Sequence, residues 1–208
     1  MDNKILFFPL LTRRTNYSVK KNKKYYVYSF YKQEIREDCQ NRCVYCDVHE
    51  DEIGGDESMQ LDHFRPQKYP EYEHLIHDPN NLVWSCSGCN RLKTSHWPSL
   101  GSDQLVVNGQ GFIDPFAPDR QEYFLVIGEG EITPLIPPAK YLIDILSLNR
   151  FSRKRLRRLR MIKHELSLQV DIKIQELNAS LSAETDPDEI NELNNLLDLF
   201  EKFKSTLP

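Results

Sequence analysis

The sequence contains no apolar run of membrane-spanning length, and its first residues lack the charged start, apolar core and small-residue cleavage site of a signal peptide. We therefore expect a cytoplasmic protein with no membrane partner. The chain also has little net charge, because its 208 residues carry 27 Lys and Arg against 31 Asp and Glu, a formal charge of −4. Such a total gives no overall attraction to a polyanion, so any polyanionic partner must be bound by local groups of basic residues.

Basic residues are concentrated in two stretches of the chain. Residues 1–24 have seven Lys and Arg against the single acid Asp2, and residues 150–163 have eight and no acid. In the second stretch Arg153, Arg157 and Arg160 recur at helical spacing beside an apolar stripe. Grouped charges of this kind predict two phosphate-binding surfaces. A merely solvated face and an acidic patch on a protein partner are the alternatives for the second stretch. Between the two, the acidic residues 47–57 are predicted to form a solvated loop.

The chain has only five cysteines, and four of them form two CxxC pairs, Cys43-Val-Tyr-Cys46 and Cys86-Ser-Gly-Cys89. Two such pairs, separated by a few dozen residues, supply the four thiolates of a tetrahedral structural zinc site. This use of cysteine favours a metal in a reducing compartment over disulfides. The fifth cysteine, Cys39, is predicted to be a buried free thiol, with a spare metal ligand as the alternative.

A second group of polar residues surrounds the later CxxC pair. An adjacent Asp62-His63 pair is followed by Asn81, and Asn90 and Lys93 come after the second CxxC pair. The carboxylate of Asp62 and the amide oxygen of Asn90 are ligands that Mg²⁺ or Mn²⁺ accepts. His63 titrates near neutral pH and can take a proton from an attacking water. Asn81 is expected to hydrogen-bond the loop that carries His63 and so to orient its ring.

Residues 40–97 resemble the zinc-containing HNH endonucleases, whose second knuckle has the pattern N-L-x-x-x-C-x-x-C-[HN]-x-x-K after a strand that ends in [DE]-H. The matching residues are Asp62, His63, Asn81, Leu82, Cys86, Cys89, Asn90 and Lys93. Asn90 stands where the founding pattern has His, as in the HNH domain of the RNA-guided CRISPR nuclease. The resemblance implies a ββα-metal unit with a helix from about Asn90 to Trp97-Pro98. It also implies hydrolysis of nucleic-acid phosphodiester bonds, by default those of DNA.

Each of these residues also has a simpler explanation. Four cysteines alone can form a knuckle that only builds a fold, which would make the chain a zinc-stabilised nucleic-acid-binding adaptor without chemistry. His63 alone can be an ordinary surface histidine, and Asn90 alone can cap a helix. The conjunction favours a nuclease, because a structural knuckle has no need of an Asp-His pair, a spaced Asn and an Asn-x-x-Lys. We therefore assign catalysis to Asp62, His63, Asn81 and Asn90, and phosphate contacts to Arg65 and Lys93.

The predicted fold class is α+β in three segments. Residues 1–40 form a basic N-terminal segment and helix, residues 41–100 the zinc-bound catalytic core, and residues 101–208 a β-hairpin followed by a helical region that includes the basic helix. The runs EYFLVI and ITPLI flank the turn GEGE, which predicts the hairpin. Apolar residues at steps of three and four, from Leu156 to Leu181 and from Leu193 to Phe203, predict two helices that pair antiparallel.

Two local features of the core and its N-terminal flank carry further predictions. Because consecutive strand residues face opposite sides of a sheet, a bend or bulge is predicted at Asp62-His63, and Pro66 fits a strand end there. Upstream of the first CxxC pair lie four tyrosines, which we expect to be buried on the catalytic unit, with stacking on nucleic-acid bases as the alternative. These are Tyr25, Tyr26, Tyr28 and Tyr31.

The order of segments after the core, with D-P-F, the hairpin, I-L-x-L-N-R and then the basic helix, is similar to that of the HNH subunits of Septu-type and retron-associated anti-phage systems. Those subunits work beside an ATPase. This second resemblance implies an effector nuclease of anti-phage defence with an ATPase partner. It also makes RNA, such as tRNA, the alternative substrate to DNA.

Overall fold

In the computed structural model, which describes residues 6–101 and 104–206, the strands β1 (Met59–His63) and β2 (Leu82–Cys86) form an antiparallel pair. Their register is regular through five residue pairs, from Met59 opposite Cys86 to His63 opposite Leu82. All residues of β2 are buried, so this strand lies in the core. The predicted change of direction falls just after the Asp-His pair, because the strand ends at His63 and the chain bends at Phe64 and Arg65.

The helix α2 (Ser87–Lys93) begins directly after β2, within the second CxxC pair. The prediction of a helix from about Asn90 to Trp97-Pro98 is wrong at both ends. The helix begins earlier, at Ser87, and it ends at Lys93 because Thr94 has a φ of 47°. A β-branched residue in the left-handed region does not continue a right-handed helix. The strand pair and this helix together form the predicted ββα unit.

The helix α1 (Lys32–Asp38) follows a 3-10 turn at Tyr28–Tyr31 and packs against β2. Part of the acidic stretch 47–57 belongs to the same core, because Asp47, Val48 and Glu50 are buried, so the prediction of a solvated loop is wrong for these residues. Glu50 is only 2% exposed and accepts hydrogen bonds from Arg36 Nε at 2.9 Å and Trp84 Nε1 at 3.2 Å. A carboxylate is buried without a large penalty only when it has such partners. Glu50 therefore connects α1 to β2.

The chain continues after α2 with two short antiparallel strand pairs and a helix. Strand β3 (Val106–Val107) pairs with β4 (Gln110–Gly111), β5 (Phe124–Ile127) pairs with β6 (Glu131–Pro134), and α3 (Ala139–Ile145) follows. The pair β5 and β6 is the predicted hairpin, and alternate residues of β5 are buried as a half-buried strand requires.

An aromatic cluster packs the segment after α2 against the ββα unit. The ring of Trp97 stacks on that of Phe112 with centroids 5.5 Å apart, and Phe64 meets Trp97 edge-on at 5.3 Å. Offset-stacked and edge-on contacts are the favourable geometries for aromatic pairs. The bend after β1 is therefore held by aromatic contacts between Phe64, Trp97 and Phe112.

The division between two compact units falls within the long helix α4 (Phe151–Ala183), since the first unit extends to Arg157 and the second begins at Arg158. The units do not follow the three predicted segments, because both earlier segments and the hairpin belong to the first unit. Asp2 and Lys4 of the basic N-terminal stretch lie outside the described residues.

The second unit consists of the remainder of α4 and the helix α5 (Pro187–Thr206). Asp186 Oδ1 accepts a hydrogen bond from Asp188 N at 2.8 Å and so caps the start of α5. Lys204, near the end of α5, pairs with Asp171 in α4, as an antiparallel helical hairpin requires. No helix in the described part of the chain combines the length and apolar character needed to cross a bilayer.

Candidate active site and metal centre

The four cysteines of the two CxxC pairs converge in the interior of the first unit. Their Sγ atoms all lie within 4.8 Å of one another, and all four residues are buried. The Sγ atoms of Cys46 and Cys86 are 3.7 Å apart. Two sulfurs bound about 2.3 Å from a tetrahedral zinc ion are separated by roughly 3.8 Å. The cluster therefore fits the predicted structural zinc.

Cys39 lies apart from this cluster as a buried thiol. Its Sγ accepts a hydrogen bond from Trp84 N at 3.4 Å. Burial raises the pKa of the Cys39 thiol to about 11, so the group is protonated at neutral pH. This agrees with the predicted buried free thiol and not with a spare ligand.

Two arginines at the start of the second basic stretch contact the cysteine sulfurs. Arg150 Nη2 lies 3.4 Å from Cys89 Sγ, and Arg153 Nη2 lies 3.2 Å from Cys86 Sγ. A zinc ion with four thiolates carries a net charge of about −2, which two guanidinium groups balance. Gly88 makes room for this approach, since a Cβ atom at that position would lie 3.3 Å from Arg150 Nη2.

The structure corrects the predicted phosphate contacts of two arginines in the basic stretch. Arg153 is turned toward the cysteine sulfurs, and Arg157 is 2% exposed. The Arg157 guanidinium donates to the carbonyl oxygens of Gly130 at 2.7 Å and Leu148 at 2.9 Å, so it anchors the start of α4 to the hairpin turn. The spacing of the arginines predicts that they share one face of the helix, but it does not predict that other parts of the chain cover that face. Arg160 belongs to the second unit and is partly exposed, and its phosphate contact stays a prediction.

Three of the four predicted catalytic residues line one cleft of about 380 Å³. The end of β1 supplies Asp62 and His63, and α2 supplies Asn90, so the ββα unit itself brings them together. Asn90 Nδ2 donates to Gln60 Oε1 at 2.6 Å. Because the nitrogen makes this bond, the amide oxygen of Asn90 is the atom that can coordinate a cation.

A main-chain carbonyl orients the ring of His63. Its Nε2 lies 2.9 Å from the oxygen of Ile76, and because a carbonyl only accepts, Nε2 carries the proton and Nδ1 is the basic nitrogen. Burial lowers the pKa of His63, against the opposing effect of the bond to Ile76. The imidazole is therefore uncharged at neutral pH and can accept a proton at Nδ1.

Asn81 connects the two chain segments that hold His63. Its Oδ1 accepts a hydrogen bond from Arg65 N at 2.9 Å, and its Nδ2 donates to Arg65 O at 3.0 Å. The same Nδ2 lies 3.5 Å from Leu75 O, one residue before the carbonyl that binds His63. Asn81 is buried, so it acts on His63 through the backbone and is a positioning residue.

Asp62 is buried, and two side chains hold its carboxylate. The hydroxyl of Tyr45 donates to Oδ2 at 2.6 Å, and Lys93 Nζ lies 3.3 Å from each carboxylate oxygen. Lys93 also donates to the main-chain oxygen of His63 at 2.8 Å and is 0% exposed. This corrects the predicted phosphate contact of Lys93, which is instead the buried counter-ion of Asp62.

The carboxylate of Asp62 can still act as a metal ligand with these bonds in place. Burial raises the pKa of Asp62 and lowers the pKa of Lys93, while their mutual attraction opposes both shifts. An ionised carboxylate offers about four lone-pair positions, so an oxygen of Asp62 can accept a cation from the side of the cleft. The carboxylate and the amide oxygen of Asn90 fit a hard divalent ion.

Arg65 lies at the edge of the site and is partly exposed. Its guanidinium carbon is 5.4 Å from the ring centroids of both Tyr72 and Trp97. Two cation–π contacts hold the side chain in place, while Asn81 holds its backbone. The phosphate contact of Arg65 stays a prediction.

The sequence predictions did not include Tyr45 and Arg150, although the position of each in the sequence indicates a role at the site. Tyr45 lies inside the first CxxC pair, where any side chain is held close to the knuckle, and Arg150 opens the basic stretch. The carbonyl of Ile76 has no side-chain signal, because every residue offers one.

A four-cysteine zinc knuckle, a strand pair ending in Asp-His and a helix whose Asn shares their cleft define a ββα-metal fold with a structural zinc site. Residues 43–96 match the family model of the HNH endonucleases, and the chain therefore contains an HNH endonuclease domain of the zinc-knuckle type. The match spans both CxxC pairs and every predicted catalytic residue. No curated protein and no solved structure matches the chain significantly.

Substitution of one clustered cysteine tests the zinc centre. We expect one zinc ion per chain in the wild type. Cys86→Ala should bind no zinc and should show no cooperative unfolding transition, because structural zinc sites supply much of the folding free energy of small domains. Elemental analysis and thermal unfolding of the same samples measure both. Cys39→Ala is the matched control, since it removes a buried thiol outside the cluster and should keep the zinc. Full zinc content in Cys86→Ala would contradict the assignment.

A pair of tyrosine substitutions tests the charge on Asp62. Tyr45→Phe removes a hydrogen bond to a buried carboxylate and should lower the free energy of unfolding by about 1.5–3 kcal/mol. Tyr69→Phe removes a bond of similar length, 2.8 Å, to the neutral carbonyl of Ser95 and should cost only about 0.5–1.5 kcal/mol. Urea unfolding of zinc-loaded proteins measures both losses. Equal losses would indicate that Asp62 is protonated in the folded state.

Proposed function

We propose that this chain is a metal-dependent endonuclease that hydrolyses phosphodiester bonds of nucleic acid. The observation that carries the proposal is the shared cleft inside the HNH domain, which is lined by His63, with its basic Nδ1, and by the candidate metal ligands Asp62 and Asn90. The competing function, a zinc-stabilised nucleic-acid-binding adaptor, requires the knuckle but not this cleft. A buried, counter-charged carboxylate beside a carbonyl-oriented histidine supports chemistry over a purely structural role.

His63 acts as the general base in this proposal. Its Nδ1 takes a proton from a water molecule in the cleft as the water oxygen attacks the phosphorus. The bond from phosphorus to the 3′ oxygen breaks, and that oxygen takes a proton from solvent, which leaves a 5′-phosphate and a 3′-hydroxyl. The imidazolium that forms is stabilised by the Ile76 carbonyl and by the nearby negative charge of Asp62.

Asp62 and Asn90 hold a divalent cation in this proposal. A Mg²⁺ or Mn²⁺ ion bound there supplies stabilisation of the negative charge that develops at the scissile phosphate. Tyr45 and Lys93 keep the carboxylate of Asp62 in one orientation, and Gln60 does the same for the amide of Asn90. Fixed ligands avoid the free-energy cost of ordering them during the reaction.

The finer parts of the proposal rest on resemblance. DNA is the proposed substrate because it is the default for HNH endonucleases, with RNA as the alternative. The role as an anti-phage effector beside an ATPase follows from the order of segments after the core. The cytoplasmic location and the ATPase partner stay predictions.

Substitution of the proposed base tests the function. His63→Ala should lower the rate of plasmid or RNA cleavage with Mg²⁺ or Mn²⁺ by about 10²–10⁴-fold, because a positioned general base contributes about that factor. Zinc content and nucleic-acid affinity should not change. His74→Ala is the matched control, since His74 is an exposed histidine of the neighbouring loop. Cleavage at the wild-type rate by His63→Ala would refute the mechanism, and wild-type protein that binds nucleic acid but cleaves neither DNA nor RNA would favour the adaptor.

The metal ligands are tested by titration of the cleavage rate with Mn²⁺. Asn90→Ala should raise the Mn²⁺ concentration for half-maximal rate by about tenfold or more, because the loss of even an indirect contact to a metal commonly weakens binding by that factor. The structural zinc should be retained, since Asn90 does not contact the sulfurs. Asn80→Ala, at an exposed asparagine bonded to Asp78, should leave the titration unchanged. An identical Mn²⁺ dependence in Asn90→Ala and wild type would exclude Asn90 as a ligand.

A further inference from the structure

The HNH residues do not account for residues 20–30, which are mostly exposed, include the cleft residue Tyr28 and are called here the lysine–aromatic segment. Its sequence, KKNKKYYVYSF, has four lysines, four aromatic residues and no acid. All four lysines are exposed, and Tyr28 and Phe30 are 37% and 51% exposed. Large aromatic side chains grouped on a surface indicate a binding site.

Hydrogen bonds hold the lysine–aromatic segment in a defined shape. Lys20 N donates to Lys24 O at 2.8 Å, which closes the turn that carries the lysines. The buried Tyr31 holds both sides of this turn, because its hydroxyl donates to Ser18 O at 2.6 Å and accepts from Tyr26 N at 3.0 Å. Tyr26 in turn stacks on Phe30 with ring centroids 4.2 Å apart. The segment is therefore an ordered surface.

Tyr28 brings this surface to the catalytic histidine. Its ring centroid lies 5.0 Å from that of His63, in an edge-on contact, and 6.5 Å from that of His77, nearly parallel to it. Tyr28 also lines the cleft that holds Asp62, His63 and Asn90. A group that contacts Tyr28 from the cleft is therefore within reach of the proposed general base.

We propose that the lysine–aromatic segment binds an unpaired nucleotide next to the scissile phosphate, with Tyr28 stacked on its base and the lysines on the flanking phosphates. This inference rests on the proposed function, because His63 defines where the scissile phosphate lies. The substrate class is nucleic acid with a single-stranded region, since a base within a duplex is already stacked on both faces and offers none to Tyr28. Aromatic platforms flanked by basic residues are the usual means of binding single strands.

The lysines belong to the first basic stretch, for which the sequence predicts a phosphate-binding surface of its own. Arg153 and Arg157 are committed to the cysteine sulfurs and to main-chain carbonyls, so their charges are used inside the fold. The four lysines are exposed and belong to the segment whose Tyr28 lines the cleft, and one of them, Lys20, lies over the ring of Tyr26 at 5.8 Å. Phosphate attraction and base stacking therefore come from the same segment.

The prediction that the upstream tyrosines are buried holds for Tyr31 but not for Tyr28. Tyr31 is buried, as expected for all four, and Tyr25 meets it edge-on with centroids 6.2 Å apart. Tyr28 departs from that expectation, because it is exposed at the cleft. The alternative of base stacking therefore applies to this position.

Binding of fluorescent oligonucleotides by the full chain, without added divalent ion, tests the inference. The probes are a single-stranded DNA and a single-stranded RNA that each contain one 2-aminopurine, and the DNA probe annealed to its complement. We expect the single strands to bind about tenfold or more tightly than the duplex, with quenching of 2-aminopurine on binding, because each stacked base contributes about that factor. Whichever single strand binds with the higher affinity, DNA or RNA, identifies the sugar of the substrate.

Variants of Tyr28 separate stacking from support of His63. Tyr28→Ala should weaken single-strand binding by about tenfold and abolish the quenching, whereas Tyr28→Phe should keep both, because the aromatic face is retained. Zinc content and thermal stability of both variants establish that they are folded. Tyr123→Ala, at a partly exposed tyrosine of the hairpin region, should behave as wild type. Changing Lys20 and Lys24 to Gln should reduce the slope of log affinity against log salt by about 1.4.

Failure of this inference differs from failure of the proposed function. Equal affinity for single strand and duplex, or quenching that persists in Tyr28→Ala, would overturn the inference even if the protein cleaves nucleic acid. Binding of neither nucleic acid would also overturn it and would favour an acidic protein as the occupant of the segment. Tyr28-dependent binding with no cleavage in Mg²⁺ or Mn²⁺ would instead overturn the nuclease and leave a single-strand-binding module.

Discussion

The cleft depends on one buried charge, the carboxylate of Asp62. A carboxylate in the interior is stable only with hydrogen-bonding or charged partners, and Asp62 takes its two from different elements, Tyr45 in the first CxxC pair and Lys93 at the end of α2. Tyr45 lies between Cys43 and Cys46, so its hydroxyl is placed by the geometry of the zinc site. The structural metal and the candidate metal ligand are therefore connected through a single side chain. The zinc knuckle therefore helps to position the carboxylate of Asp62, a task that hydrophobic packing alone performs in proteins with larger cores.

Basic residues of the first unit serve internal electrostatics to a degree that composition does not reveal. Arg150 and Arg153 balance the negative charge of the thiolates, Arg157 donates to carbonyls of the hairpin and its flank, and Lys93 balances Asp62. Lys93 and Arg157 are buried and Arg150 and Arg153 are half-buried, and such charges are stable away from water because hydrogen-bonding or charged partners lie beside them. A count of basic residues along a helix measures how many charges share a face. It does not measure how many reach the solvent, and this is why two of the predicted phosphate contacts on that helix fail.

The parts of the fold that were predictable are those in which spacing encodes geometry. Two CxxC pairs predict a four-thiolate site because a short loop brings both sulfurs to one metal, and EYFLVI, GEGE and ITPLI predict a hairpin because alternation and turn residues act locally. What could not be predicted depends on residues distant in sequence. The burial of Lys93 depends on Asp62, the burial of Glu50 depends on Arg36 and Trp84, and α2 ends where Thr94 adopts a left-handed backbone. None of these partners is marked by a pattern in the segment that needs it.

The charge balance of the cleft has a consequence for how the proposed enzyme binds its cation. Lys93 neutralises Asp62, and Asn90 offers an uncharged oxygen, so the two ligands together contribute little net negative charge to a divalent ion. Magnesium is commonly held by one or two carboxylates together with substrate phosphates. In the proposed function the scissile phosphate therefore supplies the missing charge, and ion and nucleic acid bind more tightly together than either does alone. In the same proposal, the exposed lysines of residues 20–24 would add positive charge that attracts the phosphates of the nucleic acid, while the cleft alone would attract a cation only weakly.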